Sequence, residues 1–500
     1  MATSDDGGER RLHPLSWLFV LIQQLKSFAV PILVLLFGAG GDRRELWGLA
    51  GAVVLVAIAL AQYFTYRFRV SGDGLVIRSG LLQRSLRHIP WQRLHNVSLH
   101  QSLLHRLFGV AEVRLESAGG VKPEAEMRVL SLADAQALEA LVRGRSAQVV
   151  GEGATGAAGA EPEARVLLAL PTSEVVRLGL ISNRGMLIVA AGFGALAQTG
   201  QGLIGDAIEG VGRRMVGWGN ELHLDLLGWV LGAALLLAFF VVVLRVLSVV
   251  TALLQFHGFT LGESGRRLTV QRGLLTRLRA NMPRRRIQAW SLHEGLVHRW
   301  FGRRSLRVDS ATVDNANGQR SLRDLAPVAT PAAIDALVRH LLPGVPWPPA
   351  SWQPLHPRAW RRQFAVPATL ALVATGVLVV REGAVGLVVL ALLPVLVVRA
   401  KVWARHAGYS VDAGLVAVRE GWLDRHWRFC ETRKLQALKL VRSPFDRRHG
   451  MATLLLDTAG ASPLEPPLRI RYLPEAEARA LHDQLAAAMY TTPTRARSAG

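Results

Sequence analysis

The chain has 500 residues, 50 % hydrophobic and only 19 % charged, yet 59 Lys and Arg against 37 Asp and Glu give a formal net charge of +22. Positive mean hydropathy with few charges excludes a disordered chain. The single cysteine, Cys430, excludes an internal disulfide framework and a cysteine-based metal cluster. So basic a chain first raises nucleic acid as a partner, but its apolar residues are bunched into long runs, which points to an integral membrane protein.

Residues 15–26 read as an interfacial helix leading into the first apolar run. Asp5, Asp6 and Glu9 precede it beside Arg10 and Arg11, and no clean small-residue cleavage site follows, so a secretory signal is not expected. Residues 28–41 and 46–61 form a first predicted membrane hairpin, 186–204 and 226–244 a second, and 364–380 and 383–398 a third. The tight connections 42–45, 205–225 and 381–382 carry a net −2, which leaves +24 on the rest of the chain. The positive-inside rule then predicts a multi-pass membrane protein with both termini and all large segments in the cytoplasm.

The segments after the hairpins repeat. Gly80, Gly273 and Gly421 each open a G-x-L-x-R pattern, and 29 residues later each copy reaches Gly109, Gly302 or Gly450. A further 23 residues on stands a leucine: Leu132, Leu325 or Leu473. Between the glycines lie Ile89-Pro90-Trp91-Gln92-Arg93, Met282-Pro283-Arg284-Arg285-Arg286 and Cys430-Glu431-Thr432-Arg433-Lys434. Short alternating apolar runs within each copy predict strands, and the stretches 133–142, 331–342 and 474–489 switch to helical spacing. The predicted fold is therefore α-helical membrane hairpins plus α+β domains, each an antiparallel β unit closed by one C-terminal helix. The expected order is interfacial helix and hairpin (1–65), β domain (66–145), linker (146–165), hairpin (166–254), β domain (255–342), Pro-rich linker (343–357), hairpin (358–404), β domain (405–490) and tail (491–500).

The pattern G-x-L-x-R, then P-x-x-[RK]-[LI]-[HQ], then F-G after a helical hairpin resembles the bacterial pleckstrin-homology membrane proteins of the YdbS/YdbT type. The triplicate of about 500 residues is similar to the longer members. The resemblance implies three PH-like antiparallel β barrels, each with a capping helix. The third copy departs from the pattern at Glu431 and His449, where the others have proline and an aromatic residue.

Fifteen histidines raise a metal site, but none stands in a known ligand spacing. His88, His95, His100 and His105 of the first copy are matched by Asn281, Gln288, His293 and His298 in the second. The third has Phe429, Gln436, Val441 and Asp446 there, so no metal or cofactor is expected. Phosphate-loop, nucleophile-elbow and dinucleotide motifs do not occur, which gives no case for an enzyme. The basic residues are the stronger signal. Residues 66–117 carry +5, 256–310 carry +9 and 409–460 carry +3. Arg93, Arg286 and Lys434 occupy one repeat position, and Arg284, Arg285, Arg303 and Arg304 enrich the second copy; together they predict a site for anionic lipid headgroups or a protein partner. Self-association of the β domains is the other binding mode expected. Nucleic acid is not, because no aromatic stacking set accompanies the cations. The function expected is binding or scaffolding at the membrane surface. The alternative is a transporter or channel subunit with regulatory PH-like domains. It is disfavoured because the spans carry no mid-bilayer charge: Arg245 stands at the cytoplasmic end of the fourth and is expected to snorkel.

Overall fold

The computed structural model describes residues 10–11, 19, 57, 65–71, 74–79, 85–91, 94–117, 125–149, 165–199, scattered positions in 205–221, and 225–310, 323–412, 414–459 and 467–491. Apart from Ala57, the first predicted hairpin lies outside the described residues, as does the interfacial segment except Phe19. The chain divides into two compact units, Met1–Gly265 with Thr269–Asn281, and Arg266–Leu268 with Met282–Gly500.

In the first unit, β1 (Arg10–Arg11), β2 (Arg67–Val70), β3 (Gly74–Ser79) and β4 (Ser85–Pro90) form one antiparallel sheet. Then come β5 (Leu94–Gln101), α1 (Leu103–Leu107), β6 (Val110–Ser117), β7 (Ala125–Ser131) and α2 (Leu132–Val149). Alternate residues of the strands turn inward. Phe68, Leu75, Ile77 and Ile89 of the first sheet share one core with Leu99, Val113 and Leu115 of the second, and Ala135, Leu138 and Val142 of α2 cover it. That is the sequence-predicted unit: two β layers and a closing helix.

The second layer does not end with its own copy. After β8 (Arg165–Ala169) and three helices described below, β9 (Thr260–Ser264), β10 (Arg267–Arg272) and β11 (Arg277–Pro283) of the second copy complete a seven-stranded sheet in the order β7-β6-β5-β11-β10-β9-β8. The seam pairs Arg277 with Gln101 through Ala280 with Ser98. A buried polar contact backs it: Asn281 Nδ2 donates to Glu139 Oε1 of α2 at 2.8 Å.

The second unit repeats the device. β12 (Ile287–Glu294), α6 (Leu296–Trp300), β13 (Arg304–Ser310), β14 (Asp324–Ala329) and α7 (Pro331–Leu341) are the second half of copy two. Thr330 caps α7 by accepting from Ala333 N–H, with Pro331 in its first turn. Strands β15 (Gln353–Pro354), β16 (Gly408–Asp412), β17 (Leu415–Glu420) and β18 (Arg425–Glu431) join them in the order β14-β13-β12-β18-β17-β16-β15. β19 (Leu435–Val441), β20 (Met451–Thr458) and β21 (Arg469–Pro474), with α10 (Pro444–Arg448) and α11 (Glu475–Thr491), finish copy three. The described strands thus do not segregate into three self-contained barrels. At two seams, β5 with β11 and β12 with β18, the edge strand of one copy is paired by the next copy, which satisfies its N–H and C=O groups as a local barrel closure would.

Two helical runs are long and apolar enough to cross a membrane: α5 (Leu226–Phe256) and the stretch Ala359–His406. The second comprises α8 (Ala359–Glu382), a 3-10 segment (Gly383–Ala391) and α9 (Leu392–His406). The backbone reverses at Gly383, with φ +67, and α8 packs on α9. Its buried positions Ala368, Ala371 and Thr375 are small, which lets helices approach closely.

A third run is broken. Helices α3 (Thr172–Ile181) and α4 (Arg184–Thr199) meet at a 58° bend. The carbonyls freed there are taken up by α5: Arg245 Nη1 donates to Leu180 O (3.0 Å) and Ser182 O (3.2 Å), and Ser248 Oγ donates to Ser182 O at 2.8 Å. Arg245 is therefore spent on backbone instead of snorkelling. Close approach needs glycine here, since a Cβ on Gly185 would stand 2.3 Å from Leu244 O. Gly185→Ala should lower the protein's stability in detergent by about 1–3 kcal/mol through overpacking, while Gly192→Ala, which meets nothing within 4 Å, should be neutral. Equal melting midpoints for the two variants would contradict this packing.

Candidate functional site

The basic repeat position lies on a corner. The 3-10 turns Arg284–Arg286 and Thr432–Lys434 connect β11 to β12 and β18 to β19. In copy one Arg93 lies outside the described residues; Trp91, at the start of the same turn, donates Nε1–H to Ser71 O at 3.1 Å. The corner cations are not one headgroup cradle. Arg284 donates to the carbonyls of His340 (3.1 Å) and Leu341 (2.8 Å), so it caps the C-terminal end of α7. Lys434 Nζ donates to Arg285 O at 2.5 Å, and burial pushes its ammonium pKa down. Arg433 pairs with Glu431 at 2.6 Å. Arg285 is exposed and Arg286 half-buried.

Arg303 and Arg304 stand at the other end of the strands. Arg303 donates to the carbonyls of Phe301 and Gly302, both at 3.2 Å. Arg304 Nε donates to Glu294 at 2.9 Å, and its guanidinium lies 5.0 Å above the Trp427 ring. β12 spans eight residues between the Arg284–Arg286 corner and α6, roughly 25 Å at the usual strand rise.

The marker glycines have two distinct jobs, and Gly80 lies outside the described residues. Gly109, Gly302 and Gly450 follow α1, α6 and α10 with φ of +64, +60 and +66, the left-handed residue that ends a helix. Gly273 (φ +112) and Gly421 (φ +85) open the turns β10–β11 and β17–β18, where a Cβ would fall 1.9 Å and 1.8 Å from the carbonyl oxygens of Thr276 and Asp424. The two sets meet between copies. Arg106 Nη1 of α1 donates to Leu274 O at 3.0 Å, and Arg299 Nη1 of α6 donates to Trp422 O at 3.0 Å. Each arginine precedes its copy's second marker glycine by three residues, and each carbonyl follows the next copy's first marker. The sequence repeat could not show this contact, because it joins two copies.

These junction tips are apolar and outward. Leu103, Leu104, Leu107 and Phe108 on α1, and Leu296, Phe301 and Trp300 (88 % exposed) on α6, project beside the arginines. Phe19, from the predicted interfacial segment, packs on the first tip with its ring 4.1 Å from His105. The β10–β11 turn is bonded to the end of α5: Gly273 N–H donates to His257 O (2.9 Å) and Leu274 N–H to Leu254 O (3.0 Å).

In copy three the corresponding turn borders a cavity of about 180 Å³ at the end of α9, lined by Arg405, His406, Arg419, Glu420, Arg425 and Trp427. Its acid is occupied, since Glu420 pairs with Arg471 at 3.2 Å. Arg419 lies 4.8 Å over the Trp352 ring, its Nε buried without a partner among the described residues, and burial lowers its pKa.

One further cluster was invisible to motif spacing. His293 of β12 and His426 of β18 are cross-strand partners, and Asp424 lies between them. His293 Nε2 is 2.5 Å from Asp424 Oδ1, and His426 Nε2 is 3.0 Å from Asp424 Oδ2. Burial opposes ionisation of Asp424, but the charges and hydrogen bonds of the two histidines together outweigh it and hold its carboxyl below the usual value. Burial lowers His293 despite Asp424, and lowers the neighbouring His298 to about 4. At neutral pH the His298 imidazole is therefore uncharged.

The family model described as Bacterial PH domain matches three times, over residues 20–146, 222–342 and 365–489. The UPF0699 transmembrane protein YdbT of Bacillus subtilis (strain 168) is 20 % identical over 484 residues, covering 94 % of this chain and 96 % of that protein. No solved structure gives a significant match. The chain carries two apolar helices of membrane length, and the three matches show that it belongs to the bacterial PH domain family.

Proposed function

We propose that this is a non-enzymatic, multi-pass scaffold of the bacterial inner membrane that holds three PH-like domains on the cytoplasmic face and binds anionic headgroups at the feet of its membrane helices. The observation that carries this reading is the cavity of about 180 Å³ at the end of α9, whose lining includes Arg405, Arg419 and Arg425. Guanidinium groups bind phosphate bidentately, and cations next to a bilayer gain about 1 kcal/mol each from anionic lipid. The apolar tips support the same face. Helix α5 has 31 residues, about 46 Å of helix, which matches a bilayer with its headgroups at ~40–45 Å. The Gly273–Leu274 turn bonded to its last residues then lies at headgroup level, with Leu107 and Phe108 near it. The excess of positive charge outside the short connections supports a cytoplasmic location for these domains, in six spans and three hairpins.

On this reading the lipid contact moves from the corner residues Arg284–Arg286 and Lys434 to the helix feet and to Arg106, Arg299 and Arg303. The corners, roughly 25 Å away along the strands, are left to an acidic protein partner.

The test is retention of phosphatidylglycerol against phosphatidylcholine by the purified full chain, read by native mass spectrometry. Wild type should retain the anionic lipid preferentially, and Arg419→Gln/Arg425→Gln should lose that preference several-fold. Arg285→Gln/Arg286→Gln should leave it unchanged. Equal retention of both lipids by wild type, or an unaltered preference in the Arg419/Arg425 variant, sinks the proposal.

The broken α3–α4 run favours a second reading, a transporter or channel subunit, since such breaks form substrate sites in that class. Arg245 and Ser248 already take up carbonyls freed at the break, which makes the scaffold the stronger reading.

A further inference from the structure

We propose that His293, Asp424 and His426 form a site for one divalent transition-metal ion, zinc by its donor chemistry, that staples copy two to copy three across their shared sheet.

The donors come from both copies. His293 is on β12, His426 faces it on β18, and Asp424 closes the β17–β18 turn that Gly421 opens. One ligand atom from each residue can be chosen so that all three lie within 4.8 Å of one another. A tetrahedral zinc with bonds of ~2.0–2.1 Å separates its ligand atoms by roughly 3.4 Å, so small side-chain rotations bring the three onto one ion. Two imidazoles and a carboxylate suit zinc and leave a fourth position open. His426 and Asp424 are exposed and His293 is half-buried, so an ion has access.

Arg425 and Trp427, which line the cationic cavity, alternate with His426 along β18, while Glu420, the cross-strand partner of His426, also lines the cavity, so the two sites adjoin. The first junction lacks the set. Opposite His100 stands Leu278, and Thr276 occupies the place of Asp424. The staple therefore belongs to the second junction, and the first supplies residues that the same seam accommodates.

The experiment uses the full chain without a histidine tag, stripped with chelator, in detergent. Titration with zinc alone, followed by calorimetry, should show saturable binding near one ion per chain and a higher melting midpoint. Asp424→Thr/His426→Leu, which copies the first junction, should weaken binding at least tenfold while keeping the metal-free melting midpoint. Should that variant fold poorly, cobalt added to wild type supplies an independent readout, with the visible absorption of a low-symmetry, four- or five-coordinate site expected. Absence of saturable zinc binding by wild type overturns the proposal. So does equal affinity in a folded variant, or a cobalt spectrum matching the hexaaquo ion.

Discussion

Asp309→Ala should destabilise the second unit by about 3–5 kcal/mol, because it leaves a buried guanidinium without its anion. Asp309 of β13 forms an ion pair with Arg428 of β18 across the intervening β12; the side chains are 1 % and 11 % exposed. Arg428 Nε and Nη1 are buried without hydrogen-bond partners among the described residues, so Asp309 carries the compensation. The loss belongs to the stranded charge and not to the pair as such. Asp309→Leu/Arg428→Leu, which removes both charges, should therefore recover most of the stability. Thermal unfolding of the purified protein in detergent measures both. If the single and double variants melt together, the buried charge is not what the pair neutralises.

Gly421→Val should cost more than about 2 kcal/mol, while Gly450→Asn costs under about 1 kcal/mol, although both glycines are repeat markers with positive φ. At Gly421 the left-handed backbone is joined by a collision, since its Cβ would fall 1.8 Å from Asp424 O. At Gly450 nothing lies within 4 Å and φ is +66, a conformation asparagine tolerates. Melting midpoints decide the matter. Similar losses at both positions would mean that backbone conformation alone accounts for the markers. The β17–β18 turn that Gly421 opens borders the cationic cavity and carries Asp424, so Gly421→Val should also weaken lipid retention.

Much of the architecture was legible because its signals are local. A 29-residue glycine spacing reports a repeated unit whatever surrounds it. Alternating apolar residues declare strands, and the helical spacing that begins at Pro331 declares α7. An uncharged run of membrane length declares α5, and two shorter apolar runs, 364–380 and 383–398, declare the stretch Ala359–His406. Each of these depends only on neighbours within a few turns or a few strand residues.

The candidate site was less legible, because its residues take their roles from partners distant in sequence. The arginines at 284–286 read as one basic run, yet Arg284 is committed to the end of α7 more than fifty residues on. Arg245 read as a snorkelling cation until the break between α3 and α4 supplied carbonyls for it. His293 and Asp424, 131 residues apart, carry no motif spacing at all. What the chain determined by itself is a β unit repeated three times, with long apolar runs and a cationic excess. Only the tertiary structure decided that the copies join edge to edge. A strand's free edge is a row of backbone N–H and C=O groups that every sequence possesses equally, so the choice of β5 for β11 and of β12 for β18 rests on the packing around them.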